Sequence, residues 1–233
     1  MRSFSITGGK GGVGKTSLSI NLAFAFAKKN CKVLLFDADL GLANIDVLLG
    51  VSPKYHIGQV LSGQVSLSDI LIKIHQNIYL IPSGSGLQNL TELSSFDVQA
   101  IIQQFSDLPI EFDFLIVDTA AGISRQVLQF TQAAQQIIIS VCHDPASLTD
   151  AYAMIKILSQ NFYCPKIAIV ANMVANLQEG LLVYRKLQTI TQQFLSVHLE
   201  YLGTVVRDQK MQVAARQHQA LVEKYPNSLA AQN

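Results

Sequence analysis

The chain has no tryptophan, few charges and few cysteines. Charged residues make up 14% of its 233 positions, well below the roughly 25% of an ordinary soluble domain. Seventeen Lys and Arg against sixteen Asp and Glu leave a net charge of +1. No strong field of either sign is available, so direct nucleic-acid binding is not expected. Cys31, Cys142 and Cys164 are odd in number, far apart and without a C-x-x-C pair. That pattern excludes a disulfide framework and reads as reduced, buried thiols of a cytoplasmic protein. No apolar run approaches the roughly 20 residues of a membrane span. No secretory signal is expected, because a glycine-rich loop begins within ten residues of Met1.

What is present is apolar: 49% of the residues are hydrophobic. A chain of this length is expected to form one large α/β domain over residues 1–233. The expected fold is a doubly wound, mostly parallel sheet with helices on both faces.

The organising motif is Gly8-Gly9-Lys10-Gly11-Gly12-Val13-Gly14-Lys15-Thr16. From Gly9 to Thr16 it fits G-x-x-x-x-G-K-[ST], between a strand-like Phe4-Ser5-Ile6 and a helical run beginning at Ser17. Strand, glycine loop and helix start bring backbone N–H groups together on a phosphate chain. Lys15 is expected to reach the β- and γ-phosphates, with the Thr16 hydroxyl on Mg²⁺. Gly9, Lys10, Gly11, Gly12, Val13, Gly14, Lys15, Thr16 and Ser17 are thus the expected phosphate-side residues. Lys10 is a second lysine in the loop, either a solvated charge or a residue with its own task.

Two further strands end in acids. Lys32-Val33-Leu34-Leu35-Phe36-Asp37 is followed by Ala38-Asp39, and Phe112-Asp113-Phe114-Leu115-Ile116-Val117 by Asp118. Ligands of open α/β sheets lie beyond the carboxyl ends of the strands. Asp118 therefore reads as a Walker B residue holding Mg²⁺ through water. Asp37 and Asp39 point towards the phosphates and act through Mg²⁺ or water, or else they cap a short helix. Gly122, in Thr119-Ala-Ala-Gly-Ile-Ser124, would let the backbone approach or leave the terminal phosphate. Arg125 reads as a solvated residue of the helix that follows.

Short helices are expected over residues 57–63 and 67–71, and a longer one over 96–105. Strands are expected at 78–82, 136–142, 166–172 and 201–206, and helices over about 178–195 and from about 209. Ser147 or Thr149 is expected to cap a helix running to Leu158. Ser83-Gly84-Ser85-Gly86 reads as a plain connection. A GTPase would read guanine with N-K-x-D, whereas the matching strand end here is Asn172-Met173-Val174-Ala175. Without the Lys and the Asp, adenine is the expected base.

The segment Lys10-Gly-Gly-Val-Gly-Lys-Thr16 resembles the deviant Walker A motif of the MinD/ParA family of ATPases. The likeness extends to Asp37–Gly50, Ile81–Gly86, Asp118–Ser124 and Thr149–Lys156, where it is closest to the FlhG/FleN-type regulators of flagellar number. The resemblance implies an ATP-bound, Mg²⁺-dependent homodimer in which Lys10 crosses to the nucleotide of the partner subunit. It also implies that Asp39 orients the attacking water and that Asp37 is an outer Mg²⁺ partner. Asn172, Arg207 and Asp208 are implied to line the adenine pocket. Implied partners are an SRP-type GTPase of the flagellar pole and, in some members, a flagellar transcription activator. A partition or division-site positioning ATPase of ParA or MinD type is the alternative. Such proteins usually carry a basic C-terminal membrane helix. Residues 222–233 contain Pro226 and no cationic face, so contact with a membrane is expected only through a helix outside this sequence.

Overall fold

The computed structural model describes residues 1–42, 44–84, 93–162, 164 and 166–233. The central strands are the apolar runs that end in the motif residues. β1 (Arg2–Thr7) leads into the glycine loop and α1 (Lys15–Ala27) leaves it. β2 (Val33–Ala38) is buried at all six positions, as a parallel strand covered on both faces requires. Then come α2 (Ile45–Leu49), α3 (Ile57–Leu61), β3 (Ile72–His75), β4 (Ile78–Ile81) and α4 (Ser95–Gln104). β5 (Phe114–Thr119), α5 (Arg125–Ala133), β6 (Gln136–Val141) and α6 (Pro145–Asn161) follow. The chain continues through β7 (Lys166–Val174), α7 (Leu177–Phe194), β8 (His198–Val206) and α8 (Gln209–Arg216). It closes with α9 (Leu221–Lys224) and α10 (Leu229–Gln232).

The strands lie in one sheet in the order β3-β4-β2-β5-β1-β6-β7-β8. All described pairings are parallel except β3 with β4. The glycine loop therefore leaves the middle of the sheet, between β5 on one side and β6 on the other. Apolar clusters cover the sheet. One gathers Ile6, Ile20, Phe24, Val33 and Leu35 beneath α1, and another joins α6 and α7 to β6 and β7. The doubly wound architecture expected from the sequence is the one observed.

Three local expectations fail for identifiable reasons. Residues 67–70 form turns, not a helix. There the Asp69 carboxylate accepts from the Ser66 N–H and hydroxyl at 2.8 and 2.6 Å, a local bond that competes with the helical ladder. The edge strand β3 was not expected, because its four residues carry too little pattern to separate them from the turn before β4. The cap of α6 is Asp144, which accepts the Ser147 N–H at 2.9 Å ahead of Pro145 at the first helical position. Ser147 is buried instead, its hydroxyl accepting the Cys142 N–H at 3.0 Å.

The C-terminal segment is clipped across the molecule. The Val222 N–H donates to Asn21 Oδ1 on α1 at 3.0 Å, and Lys28 reaches the Val222 carbonyl. His218 Nδ1 meets the Val47 carbonyl of α2 at 3.0 Å. Pro226 separates α9 from α10, as the sequence suggested. Among the described residues no helix is long and apolar enough to cross a membrane.

Candidate functional site

Residues 8–14 connect β1 to α1 and arch over the carboxyl end of the sheet. Gly14 has φ +82° directly before the helix, a left-handed geometry that disfavours any β-carbon. A β-carbon there would also stand 2.5 Å from Asn172 Nδ2. One at Gly9 would lie 2.4 Å from the Asp150 carbonyl oxygen. The loop is thus pressed between α6 and the end of β7. The buried Val13 turns its carbonyl inward, where it accepts from Ser140 Oγ at 2.8 Å and Asn172 Nδ2 at 2.9 Å. Gly11 and Gly12 form the exposed crest. Ser17, in the first turn of α1, receives the Asn21 amide on its carbonyl at 2.8 Å.

The two strand-end acids meet. Asp37 and Asp118 are register neighbours on β2 and β5, and each is 1% exposed. Asp37 accepts the N–H groups of Asp39, Asn44 and Ile45 at 3.0–3.1 Å. Asp118 accepts from Ser19 Oγ at 2.9 Å and from the Thr16 hydroxyl. Burial pushes the Asp37 carboxyl up to about 7, and the neighbouring Asp118 charge adds to the rise. Burial likewise raises Asp118 to about 6, against the hydrogen bonds from Thr16 and Ser19 and the charge of Lys15. Lys15 is 8% exposed. Burial lowers its pKa, while Asp118 and Asp39 hold the ammonium charged. Asp39 is half-buried and raised by desolvation, with the Leu42 N–H and Lys15 pulling the other way.

This donor set suits a hard divalent cation. Two buried carboxylates, neighbours in the sheet register, and the Thr16 hydroxyl offer only oxygen, with the Lys15 charge acting on Asp118. Asp37 already spends both oxygens on backbone N–H groups, which suits contact through water. The Thr16 hydroxyl and Asp118, which lie against each other, would be the pair to face a metal.

Lys10 lies in different surroundings. Its ammonium sits 2.9 Å from Asp144 Oδ1, and both side chains are more than 40% exposed. Asp144, with Asp150 further off, holds the Lys10 ammonium above its ordinary pKa. The Gly122 N–H donates to the Gly8 carbonyl at 3.3 Å, joining the β5–α5 turn to the loop. Arg125 is an exposed first residue of α5, as expected.

The residues expected around adenine share one end of the sheet. Asn172 is buried, and its Oδ1 accepts the Met173 N–H at 2.9 Å while its amide holds Val13. Its side chain braces the loop. The Arg207 N–H donates to the Val174 carbonyl at 2.7 Å, leaving its side chain exposed. Asp208 caps α8 by accepting the Lys210 N–H at 2.9 Å. Ser83 is buried and Gly84 packs against His56, while residues 85 and 86 of that connection lie outside the described residues, as does Ala43 beyond Asp39.

Sequence reasoning missed Ser19, Ser140 and Asp144. Ser19 had a signal, since it lies one helical turn past Lys15 and shares its face. Asp144 had one too, in Asp-Pro-x-Ser, an N-cap followed by proline. Ser140, inside an apolar strand, had none.

Comparison with known proteins agrees with this geometry. A family model described as an AAA domain matches residues 1–164. The antiactivator FleN of Pseudomonas aeruginosa is 43% identical over 227 residues, spanning 97% of this chain and 81% of that protein. The flagellum site-determining protein YlxH of Helicobacter pylori is 37% identical over 98% of this chain and 78% of its own length. Among solved structures, the septum site-determining protein MinD of Pyrococcus horikoshii, complexed with Mg-ADP, superposes with a TM-score of 0.79. It is 23% identical, with 99% of this chain and 91% of that one covered. The likeness to FleN and YlxH runs along nearly the whole length of this chain. The chain belongs to the MinD/ParA family of P-loop ATPases.

Proposed function

We propose that this ATPase is a nucleotide-timed switch that sets flagellar number and placement, active as an ATP-bound homodimer. The observation that carries the reading is the contrast between its two loop lysines. Lys15 is buried against Asp118 and Asp39, whereas Lys10 stands in the open beside Asp144. In this reading Lys15 binds the β- and γ-phosphates of its own nucleotide, and Lys10 leaves Asp144 to reach the nucleotide of the second subunit. Thr16 and Asp118, supported by Asp37, would hold Mg²⁺, and the ion would supply neutralisation of the charge on the β- and γ-phosphate oxygens. Asp39, next to Lys15 and with a raised pKa, orients the attacking water. Hydrolysis then ends the dimer and resets the switch.

The flagellar assignment rests on the likeness to FleN and YlxH over nearly the whole chain. In this reading the dimer engages an SRP-type GTPase of the flagellar pole and a transcription activator of flagellar genes. Light scattering with ATP tests the switch. Asp39→Ala is expected to bind ATP and accumulate as a dimer, Lys10→Ala to bind ATP yet stay monomeric, and Lys15→Ala not to bind. An Asp39→Ala protein that remains monomeric in saturating ATP refutes it. Pull-down with the Asp39→Ala protein, with and without ATP, tests the partners: recovery of DNA rather than a GTPase or activator would favour a partition protein.

A further inference from the structure

The two buried acids of the site are held in different ways. Asp37 takes three backbone N–H groups at 3.0–3.1 Å, so the course of the chain around it fixes its carboxylate. Asp118 is held instead by two side chains of α1, the hydroxyls of Thr16 and Ser19. Ser19 is fully buried. Its Oγ lies 2.9 Å from Asp118 Oδ1 and 3.0 Å from the Lys15 carbonyl oxygen. Residues 15, 16 and 19 share one face of α1, because positions three and four apart are neighbours on a helix. The turn that carries the phosphate lysine thus also aims a hydroxyl at the strand-end acid.

A hydroxyl inside a helix commonly returns its hydrogen to the carbonyl four residues back. Thr149, Thr189 and Thr191 do so here, at 3.0, 2.9 and 2.8 Å. Ser19 differs in having a carboxylate as a second acceptor, and it has one hydrogen to give. A hydrogen bond to an ionised group is about twice as strong as a neutral one, so that hydrogen belongs to Asp118 when the acid is charged. Thr16 is the hydroxyl expected on Mg²⁺. Ser19 is then the partner of Asp118 that has no other task. We propose that Ser19 is a positioning residue of the metal site, its hydroxyl fixing the Asp118 carboxylate in the orientation that receives Mg²⁺. The assignment rests on the nucleotide-site reading above and deepens it. Ser19 itself touches neither metal nor nucleotide. It acts from behind the ligand, where loss of an orienting group typically lowers metal affinity by about 10–100-fold.

The test is isothermal titration of the full chain with ADP, once in Mg²⁺ and once in EDTA. The ratio of the two affinities measures what the metal adds, with no hydrolysis to complicate it. Wild type is compared with Ser19→Ala, Asp118→Asn and the double variant. Alanine is the better helix former, so the helix itself is kept. Ser19→Ala is expected to weaken ADP by about tenfold or more in Mg²⁺ and to leave it unchanged in EDTA. In the Asp118→Asn background the same change should cost nothing further, because groups that act through one another are not additive. Equal weakening in Mg²⁺ and EDTA would make Ser19 a brace of the helix through the Lys15 carbonyl and overturn the proposal. So would a Ser19→Ala protein that keeps the whole metal enhancement, or an undiminished loss in the Asp118→Asn background. If wild type binds ADP equally in Mg²⁺ and in EDTA, the metal-site reading itself fails and the role of Ser19 falls with it.

Discussion

Removing the metal should make this protein prefer mild acid. Asp37 and Asp118 lie side by side in a nearly water-free position, with pKa values raised to about 7 and about 6. In the unfolded chain both carboxyls are ionised throughout the range from pH 6 to 8. The folded state therefore binds more protons at pH 6 than the unfolded one, and stability rises as pH falls from 8 to 6. Asp37 contributes about 1.4 kcal/mol of that rise and Asp118 about 0.4 kcal/mol, as upper bounds. Together, for a chain of this size, that is about 4–7 °C in Tm. Scanning calorimetry in EDTA at pH 6 and 8 measures it. The comparison with Asp37→Asn isolates it, because the histidines titrate alike in both proteins. The variant should lose more than half of the rise, and Mg²⁺ with ADP should flatten it in the wild type by neutralising the pair. A wild-type Tm that falls towards pH 6, or an Asp37→Asn protein that keeps the whole rise, refutes the account.

Other perturbations follow from the same contacts. Asp144→Asn keeps an N-cap for α6 but removes the charge beside Lys10; less ATP should then be needed for half-maximal dimer in light scattering, and an unchanged midpoint counts against Asp144 as a restraint. Gly180→Ala places a β-carbon 1.9 Å from Thr204 Oγ1, where α7 rests on β8. Overpacking there should lower stability by about 1–3 kcal/mol in urea unfolding, with nucleotide affinity largely kept.

The nucleotide loop, its flanking strand and helix, and the strands ending in Asp37 and Asp118 were legible because each combines a fixed spacing with an apolar run. The long helices α4 and α7 were legible from periodicity. What escaped depends on contacts far apart in sequence. The pairing of Lys10 with Asp144 spans 134 positions, and the clamp of Asn172 on Val13 spans 159. Neither residue type announces its partner. Asn172, implied at the base, also holds the Val13 carbonyl through its amide, a contact that an isolated asparagine at a strand end does not announce. β3 escaped because a four-residue edge strand has no length over which alternation can show.

The inward-turned carbonyl of Val13 has a kinetic consequence. Two donors from neighbouring strands fix the curvature of the glycine arch before any ligand arrives, so little ordering entropy remains to be lost on docking. Incoming and departing nucleotides should slide past a rigid rim.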